Sequence, residues 1–461
     1  MTLKRWQNKR VVVLGLARQG KALARYLTGV GAMVVMSDMK TDDQLKTALS
    51  ELADLELIYV LGEHPLELLE GASALFLSGG VPADLPIARE AQARGIPLLN
   101  DAQLFLEQCP AEVIGITGSA GKTTTTSLVD QMARAGFEGG NRKVWLGGNI
   151  GRPLLADLDE IGPEDLVVME LSSFQLELMT VSSKIAALLN LTPDHLDRHG
   201  SMQAYIDAKA RILTNQDEGD TAVIGYDDPR TWDLSKAAKG RVIAFGLEKP
   251  GEGDAAFVDG DAVILRIAGQ SQTVCPVDDI ALRGPHNVLN VLAACAISSA
   301  VDIPVEAMGS VARTFEGVPH RLEFIRTVLG ADWYNDSIAT TPDRALAAVR
   351  SFEEPLVLLL GGRDKEVPWE KFAKEVIARS KAIILFGEAA PKLESIFKPL
   401  VGDKRMPEMH RAADLEQAVQ KAFKLVRAGD VVLLSPGCTS YDQFPNFEIR
   451  GERFRDMVRS L

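Results

Sequence analysis

One stretch of the sequence carries legible chemistry: Ile114-Gly115-Ile116-Thr117-Gly118-Ser119-Ala120-Gly121-Lys122-Thr123. An apolar strand runs into a glycine-containing loop, and Lys-Thr opens a helix. Backbone N–H groups of such a loop, together with the positive end of the helix dipole, hold phosphate oxygens. Lys122 is placed to neutralise β/γ-phosphate charge, and the Thr123 hydroxyl to ligate Mg²⁺. Ile116 stands where the pattern GxxxxGK[ST] has its first glycine. The bland alternative is a plain strand-to-helix turn; the strand context and the intact Gly-Lys-Thr favour phosphate binding.

Glu170 ends the apolar run Leu166-Val167-Val168-Met169. Alone it is an ordinary strand-end acid, but beside a phosphate loop a carboxylate there is placed to hold Mg²⁺. Lys209 follows a possible N-cap at Ser201 and shares a helical face with Tyr205, Ile206, Ile212 and Leu213, so it is expected to point inward. A buried ammonium is costly unless paired or chemically altered. It is either a lysine whose amine reaches water or a lysine at the metal site, modified to an anion. His195, Asp197 and His199 have a spacing that suits a transition metal, but no further His/Cys cluster supports a closed zinc site. His195 is therefore expected at the nucleotide and Mg²⁺ cleft. Gly15-Leu16-Ala17-Arg18-Gln19-Gly20 is a degraded GxGxxG, with Asp38 placed after the second strand for a ribose hydroxyl. Taken alone this suggests NAD and an NAD-dependent oxidoreductase. The altered glycine and the separate phosphate loop favour another nucleotide-like ligand in the first domain.

Positioning these residues takes strands that end where the loops begin. Val11 to Leu14, Val34 to Met36 and Leu75 to Leu77 read as parallel strands, with a helix near Lys21–Thr28. A second unit has strands at Val113 to Ile116, Leu166 to Met169 and Ile185 to Leu191. Residues 253–278 alternate like antiparallel hairpins, a small β excursion. A third unit has strands at Leu356 to Leu360, Ile383 to Phe386 and Val431 to Leu434. The expectation is an α/β protein of three domains: an N-terminal Rossmann-like parallel sheet (1–110), a central P-loop ATPase-like domain (111–318) and a C-terminal Rossmann-like domain (319–461).

The whole composition agrees. The chain has 461 residues, 50 Lys+Arg against 63 Asp+Glu, and a formal net charge of −13. An acidic excess argues against non-specific nucleic-acid binding and against docking on an anionic membrane. The four cysteines form no CxxC pair, which fits a reducing cytoplasm. No apolar run is long enough for a signal sequence or membrane span. A cytoplasmic monomer is expected.

The sequence also resembles the Mur ligases over all three domains, and most closely the branch that adds D-glutamate to UDP-N-acetylmuramoyl-L-alanine. Beyond the phosphate loop, the motifs are Glu170-Leu171-Ser172-Ser173-Phe174-Gln175-Leu176-Glu177, the run from Asn190 to Gly200, Lys209, and Gly284-Pro285-His286-Asn287-Val288-Leu289-Asn290. Pro319-His320-Arg321, Asn335-Asp336-Ser337 and the run from Ser435 to Phe444 complete them. The resemblance implies ATP-dependent amide formation through an acyl phosphate, with ATP bound by Thr117, Gly118, Ser119, Ala120, Gly121, Lys122, Thr123, Thr124, Asn287, Asn290, Arg321 and Asp336. It implies Mg²⁺ at Thr123, Glu170, His195 and Lys209, the last as a carbamate, so that Lys122, Glu170, His195 and Lys209 form the catalytic set. Arg18, Gln19, Asp38, Ser78, Gly80 and Asn149 are implied for the UDP substrate, and Thr340, Lys365, Ser440 and Phe447 for the incoming glutamate. Many members resembling this chain read Asn-Asp-Ser-Lys-Ala-Thr, where this one has Ile338 in Asn335-Asp336-Ser337-Ile338-Ala339-Thr340. One cation is missing there. A relative accepting L-glutamate or another amino acid, including a folyl-polyglutamate synthetase, stays open, and Arg363 is a candidate to compensate.

Overall fold

The computed structural model describes residues 5–282, 284–365, 367–401 and 407–461. The chain divides into two compact units between Phe315 and Glu316. The first unit contains two sheets, the second one.

The first sheet is parallel throughout, in the order Ile58–Leu61, Met33–Asp38, Arg10–Leu14, Ala74–Leu77, Leu98–Leu99. Val11 to Leu14 are buried without alternation, as expected of a strand covered by helices on both faces. The helix Arg18–Gly29 follows the turn from Gly15. Gly15 sits at φ +93°, and a Cβ on Gly20 would lie 1.8 Å from the Gly15 carbonyl oxygen. Both positions therefore require glycine. Strand order reverses at Arg10–Leu14, which puts this turn in the crevice where α/β sheets bind ligands.

The second sheet has nine strands: Gln270–Pro276, Ala262–Ile267, Asp254–Asp259, Arg241–Gly246, Thr221–Gly225, Ile185–Leu188, Glu112–Thr117, Leu166–Glu170 and Val144–Gly148. Glu112–Thr117 lies between Ile185–Leu188 and Leu166–Glu170, so three loops gather at their carboxyl ends. Two expectations need correction. The hairpins of 253–278 are no separate excursion, because Asp254–Asp259 pairs in parallel with Arg241–Gly246 and extends the sheet. Alternation reveals a hairpin but carries no information about the distant strand it joins. The strand from Ile185 stops at Leu188 rather than Leu191, because Asn190 turns its groups onto the phosphate loop.

In the second unit the sheet order is Glu323–Val328, Ala331–Asn335, Val431–Gly437, Leu356–Gly361, Ser380–Phe386, Glu408–Arg411. The pair Glu323–Val328/Ala331–Asn335 is antiparallel and the rest parallel. Among the described residues no helix is long and apolar enough to cross a membrane.

Candidate active site

The phosphate loop joins the strand Glu112–Thr117 to the helix Lys122–Gly136. Gly121 takes φ +83° there, and a Cβ on it would come within 2.3 Å of Asn290 Oδ1. Asn290 is brought in by the helix Pro285–Ser299 and donates to Asn287 Oδ1 at 3.0 Å. Asn190 clamps the loop from the other side: its Oδ1 accepts from Ala120 N at 2.8 Å and its Nδ2 donates to the Ala120 carbonyl at 3.0 Å. Ser119 Oγ lies 2.8 Å from the Tyr205 hydroxyl and donates to the Thr192 carbonyl. Asn190 and Tyr205 were not among the expected site residues. The position of Asn190 just past a strand beside the loop is a signal that could have found it.

Lys122 Nζ donates to the carbonyls of Gly118 and Ser119, at 2.8 and 3.0 Å. Thr123 Oγ1 donates to Glu170 Oε2 at 2.8 Å, and Asn149 Nδ2 to Glu170 Oε1 at 2.8 Å. The strand end, the helix start and the Asn149 loop thus share one buried carboxylate. Asn149 was expected to serve the UDP substrate; the structure seats it on Glu170. Thr124 follows in the first turn of the same helix.

Lys209 sits on the helix Met202–Thr214, capped by Ser201, whose Oγ accepts from Ala204 N at 3.1 Å. The side chain points inward as expected and is 1% exposed. Its amine donates to Thr117 Oγ1 at 3.1 Å and to the Gly118 carbonyl at 2.9 Å, and lies 5.1 Å from the Tyr205 ring centroid. Burial, with the Lys122 charge nearby, holds its pKa well below the usual lysine value. Such an amine has an accessible neutral, nucleophilic form.

His195 adopts φ +51° and its ring packs against Phe174 at 5.1 Å; Phe174 is also stacked on His199 at 5.1 Å. His199 Nε2 lies 3.0 Å from Ser173 Oγ. The two imidazoles therefore flank one aromatic ring. The side chain of Asp197 lies outside the described residues, and among those described no three His, Cys, Asp or Glu gather for a metal.

At the first sheet, Asp38 is committed to the backbone: Oδ2 accepts from Leu16 N at 2.8 Å and Oδ1 from Lys40 N at 2.9 Å. Gln19 Oε1 accepts from Gly79 N at 3.1 Å, beside the exposed Gly80. Ser78 Oγ is buried beside Gly15 with no hydrogen-bond partner among the described residues. Arg18 Nη1 donates to the Gly151 carbonyl at 3.1 Å, linking this turn to the loop after Asn149.

In the second unit, Asp336 follows the strand Ala331–Asn335. Its Oδ2 accepts from Ser435 Oγ at 2.7 Å and its Oδ1 from Leu322 N at 3.3 Å. Burial pushes its carboxyl up to about 7, opposed by those bonds and by the charges of Arg321 and Arg344. The carbonyl of Ala339, next to Thr340, accepts from Gly437 N at 2.8 Å. Arg363 and Thr439 exchange backbone bonds at 2.9 and 3.0 Å, which brings the Lys365 loop to Ser440. The Phe447 carbonyl accepts from Ser337 Oγ at 2.8 Å. Arg363, the candidate to compensate for Ile338, has its Nε paired with Glu388 Oε2 at 2.9 Å in an exposed ion pair. The charge of Arg344 also reaches both Asp336 and Lys365. Sequence reading missed Arg344, since its distance from the acid depends on where the helix Pro342–Val349 begins.

A phosphate loop with a strand-end acid, in a chain that also carries a glycine-turn sheet and a second α/β unit, has the features of a multidomain nucleotide-binding α/β protein. Family comparison agrees. The Mur ligase MurD-like N-terminal domain matches residues 9–100, the Mur ligase middle domain 116–298, and the Mur ligase glutamate ligase domain 320–438. A UDP-N-acetylmuramoylalanine--D-glutamate ligase of Symbiobacterium thermophilum is 41% identical over 454 residues, 98% of each chain. One from Caldanaerobacter subterraneus is 40% identical over 456 residues, 99% of each. Among solved structures, MurF from Acinetobacter baumannii superposes with TM-score 0.57 at 17% identity, covering 97% of this chain and 94% of that one. The UDP-N-acetylmuramate-alanine ligase of Thermotoga maritima gives TM-score 0.55 at 19% identity, covering 98% and 99%; both show the shared fold. The chain belongs to the Mur ligase family.

Proposed function

We propose that this chain joins D-glutamate to UDP-N-acetylmuramoyl-L-alanine, using ATP, in peptidoglycan precursor synthesis. The observation that carries the ATP-dependent step is the buried amine of Lys209 on Thr117 and Gly118, inside a loop whose Thr123 already meets Glu170. The full-length relatives named for D-glutamate addition support the choice of substrates.

A carboxylate resists amine attack because the attack would have to expel oxide. Phosphoryl transfer from ATP gives an acyl phosphate, whose leaving group is phosphate. The glutamate amine then adds to the acyl carbon, and the tetrahedral intermediate collapses to amide and orthophosphate. Lys122 lowers the repulsion between the substrate carboxylate and the γ-phosphate, and the loop amides orient the triphosphate. Alignment of the reacting groups can contribute ~7–11 kcal/mol.

The donor set of Thr123 Oγ1 and the Glu170 carboxylate, all hard oxygens, suits Mg²⁺. Mg²⁺ held there would offset phosphate charge. His195, and Lys209 as a carbamate, would serve the same centre. In this reading residues 1–110 hold the UDP end through Arg18, Gln19 and Ser78, residues 111–318 hold ATP, and residues 319–461 receive glutamate. Asp38 acts there by shaping the Leu16 turn rather than by offering a free carboxylate. Arg344, rather than Arg363, supplies the cation that Ile338 does not. The chain works as a cytoplasmic monomer.

The test is an amino-acid panel with ATP and UDP-N-acetylmuramoyl-L-alanine, reading orthophosphate. Release that requires both the UDP precursor and D-glutamate is expected. Equal release with L-glutamate would overturn the stereochemical assignment, and release without the precursor would overturn the ligase reading.

A further inference from the structure

Arg450 lies in the first turn of the helix Phe447–Ser460 and is 0% exposed. Its guanidinium donates from Nε to Ser337 Oγ at 3.0 Å, from Nη2 to the Ser337 carbonyl at 2.8 Å and from Nη1 to the Cys438 carbonyl at 3.1 Å. All three acceptors are neutral. Among the described residues no carboxylate forms an ion pair with it; Asp442 is the acid whose field reaches it. Burial lowers its pKa only to about 10, so it stays charged at neutral pH.

A buried charge without a counter-ion is expensive, and an apolar replacement is often neutral or stabilising. Backbone carbonyls alone do not explain keeping it. The loops it pins are the ones that carry Thr340, Ser440 and Phe447. A Cβ on Gly362, near Lys365, would also lie 3.1 Å from its Nη1. In a low-dielectric interior a full charge acts well beyond contact distance.

We propose that Arg450 is a positioning and specificity residue for the incoming amino acid: its enclosed charge, set among the loops of Ser337, Cys438 and Gly362, favours a dicarboxylate over its neutral amide analogue. The proposal rests on the reading that this unit receives glutamate. The expected ligand class is an amino acid with an anionic side chain. The counter-ion missing from the protein is then supplied by the ligand.

The test uses the full chain and three variants: Arg450→Met removes the charge, Arg450→Lys keeps it without the planar fork, and Asp442→Asn removes the opposing field. Orthophosphate release is read with D-glutamate and with D-glutamine. KM values for ATP and the UDP precursor and a melting temperature are measured alongside. In Arg450→Met the KM for glutamate should rise about tenfold and the glutamate-to-glutamine preference fall about tenfold, while the other KM values move less than about twofold. Arg450→Lys should recover most of the preference, and Asp442→Asn should lower the glutamate KM by about twofold, an opposite sign that a purely structural role would not give. A preference unchanged in the folded variants, or KM values rising in parallel for all three substrates, would overturn the proposal. If Arg450→Met does not fold, the Lys and Asp442→Asn variants decide by the same criteria. A parent chain inactive with glutamate would instead overturn the substrate reading beneath it.

Discussion

The two candidate sites are built by opposite means. In the first unit, one ten-residue run supplies strand, loop and helix start, and its polar groups are engaged at short range. Lys122 and Lys209 both sit on loop carbonyls, and Glu170 holds Thr123 and Asn149. In the second unit, the residues expected for the amino acid, Thr340, Lys365, Ser440 and Phe447, come from four separate stretches, held in register by backbone bonds and by one buried guanidinium. The first arrangement fits a ligand common to many proteins, a triphosphate, whose recognition a local loop can encode. The second suits a ligand read by shape and charge from several sides. On the proposed reading, the energy source is bound by a contiguous motif, while the amino acid is chosen by tertiary placement.

That contrast can be broken at its strongest point. Lys122→Ala should cut glutamate-dependent orthophosphate release by about 10³-fold or more, with the melting temperature nearly unchanged. Turnover near the parent level would remove the phosphate loop from the mechanism. Next in size, Gly121→Ala forces a left-handed position and a Cβ against Asn290, so a loss of roughly 1–3 kcal/mol of stability is expected in denaturant titration, with activity falling in step. A melting curve like the parent's would mean that the loop relaxes freely.

Arg344→Ala should raise the glutamate KM by about tenfold and Arg363→Ala by less than about twofold, since the latter guanidinium already pairs with Glu388. The reverse order in steady-state kinetics would restore Arg363 as the compensating cation. The pH dependence is smaller still. Asp336 has a folded pKa raised to about 7, so its protonated form is favoured in the fold and the associated stability is present at low pH. That stability is lost as pH rises from the unfolded carboxylate range through about 7, with a slope of at most about 1.4 kcal/mol per pH unit. Asp336→Asn should flatten this part of the stability–pH profile; an identical profile would contradict the burial argument. For Lys209, activity should fall when CO₂ and bicarbonate are removed and return when they are restored. No response to either change would reject the carbamate.

Much of the strand framework could be read because parallel strands buried on both faces are continuous apolar runs, as at Val11 to Leu14, Leu166 to Met169 and Val431 to Leu434. The inward direction of Lys209 followed from helical period alone. Pairing was not readable. That Asp254–Asp259 continues the central sheet, or that Asn149 belongs to Glu170, depends on which distant strand lies alongside. Arg450 gave no signal either, because an arginine in a helix with many charged residues looks solvated until the loops that enclose it are in place.

The amino-acid order by itself determined the phosphate loop, the strands that end at it and the inward lysine, because each depends on neighbours within a turn or two of chain. Only the tertiary structure decided which acid, amide and guanidinium face one another. Those distances are set by sheet order and helix packing between residues far apart in sequence, and no local spacing encodes them.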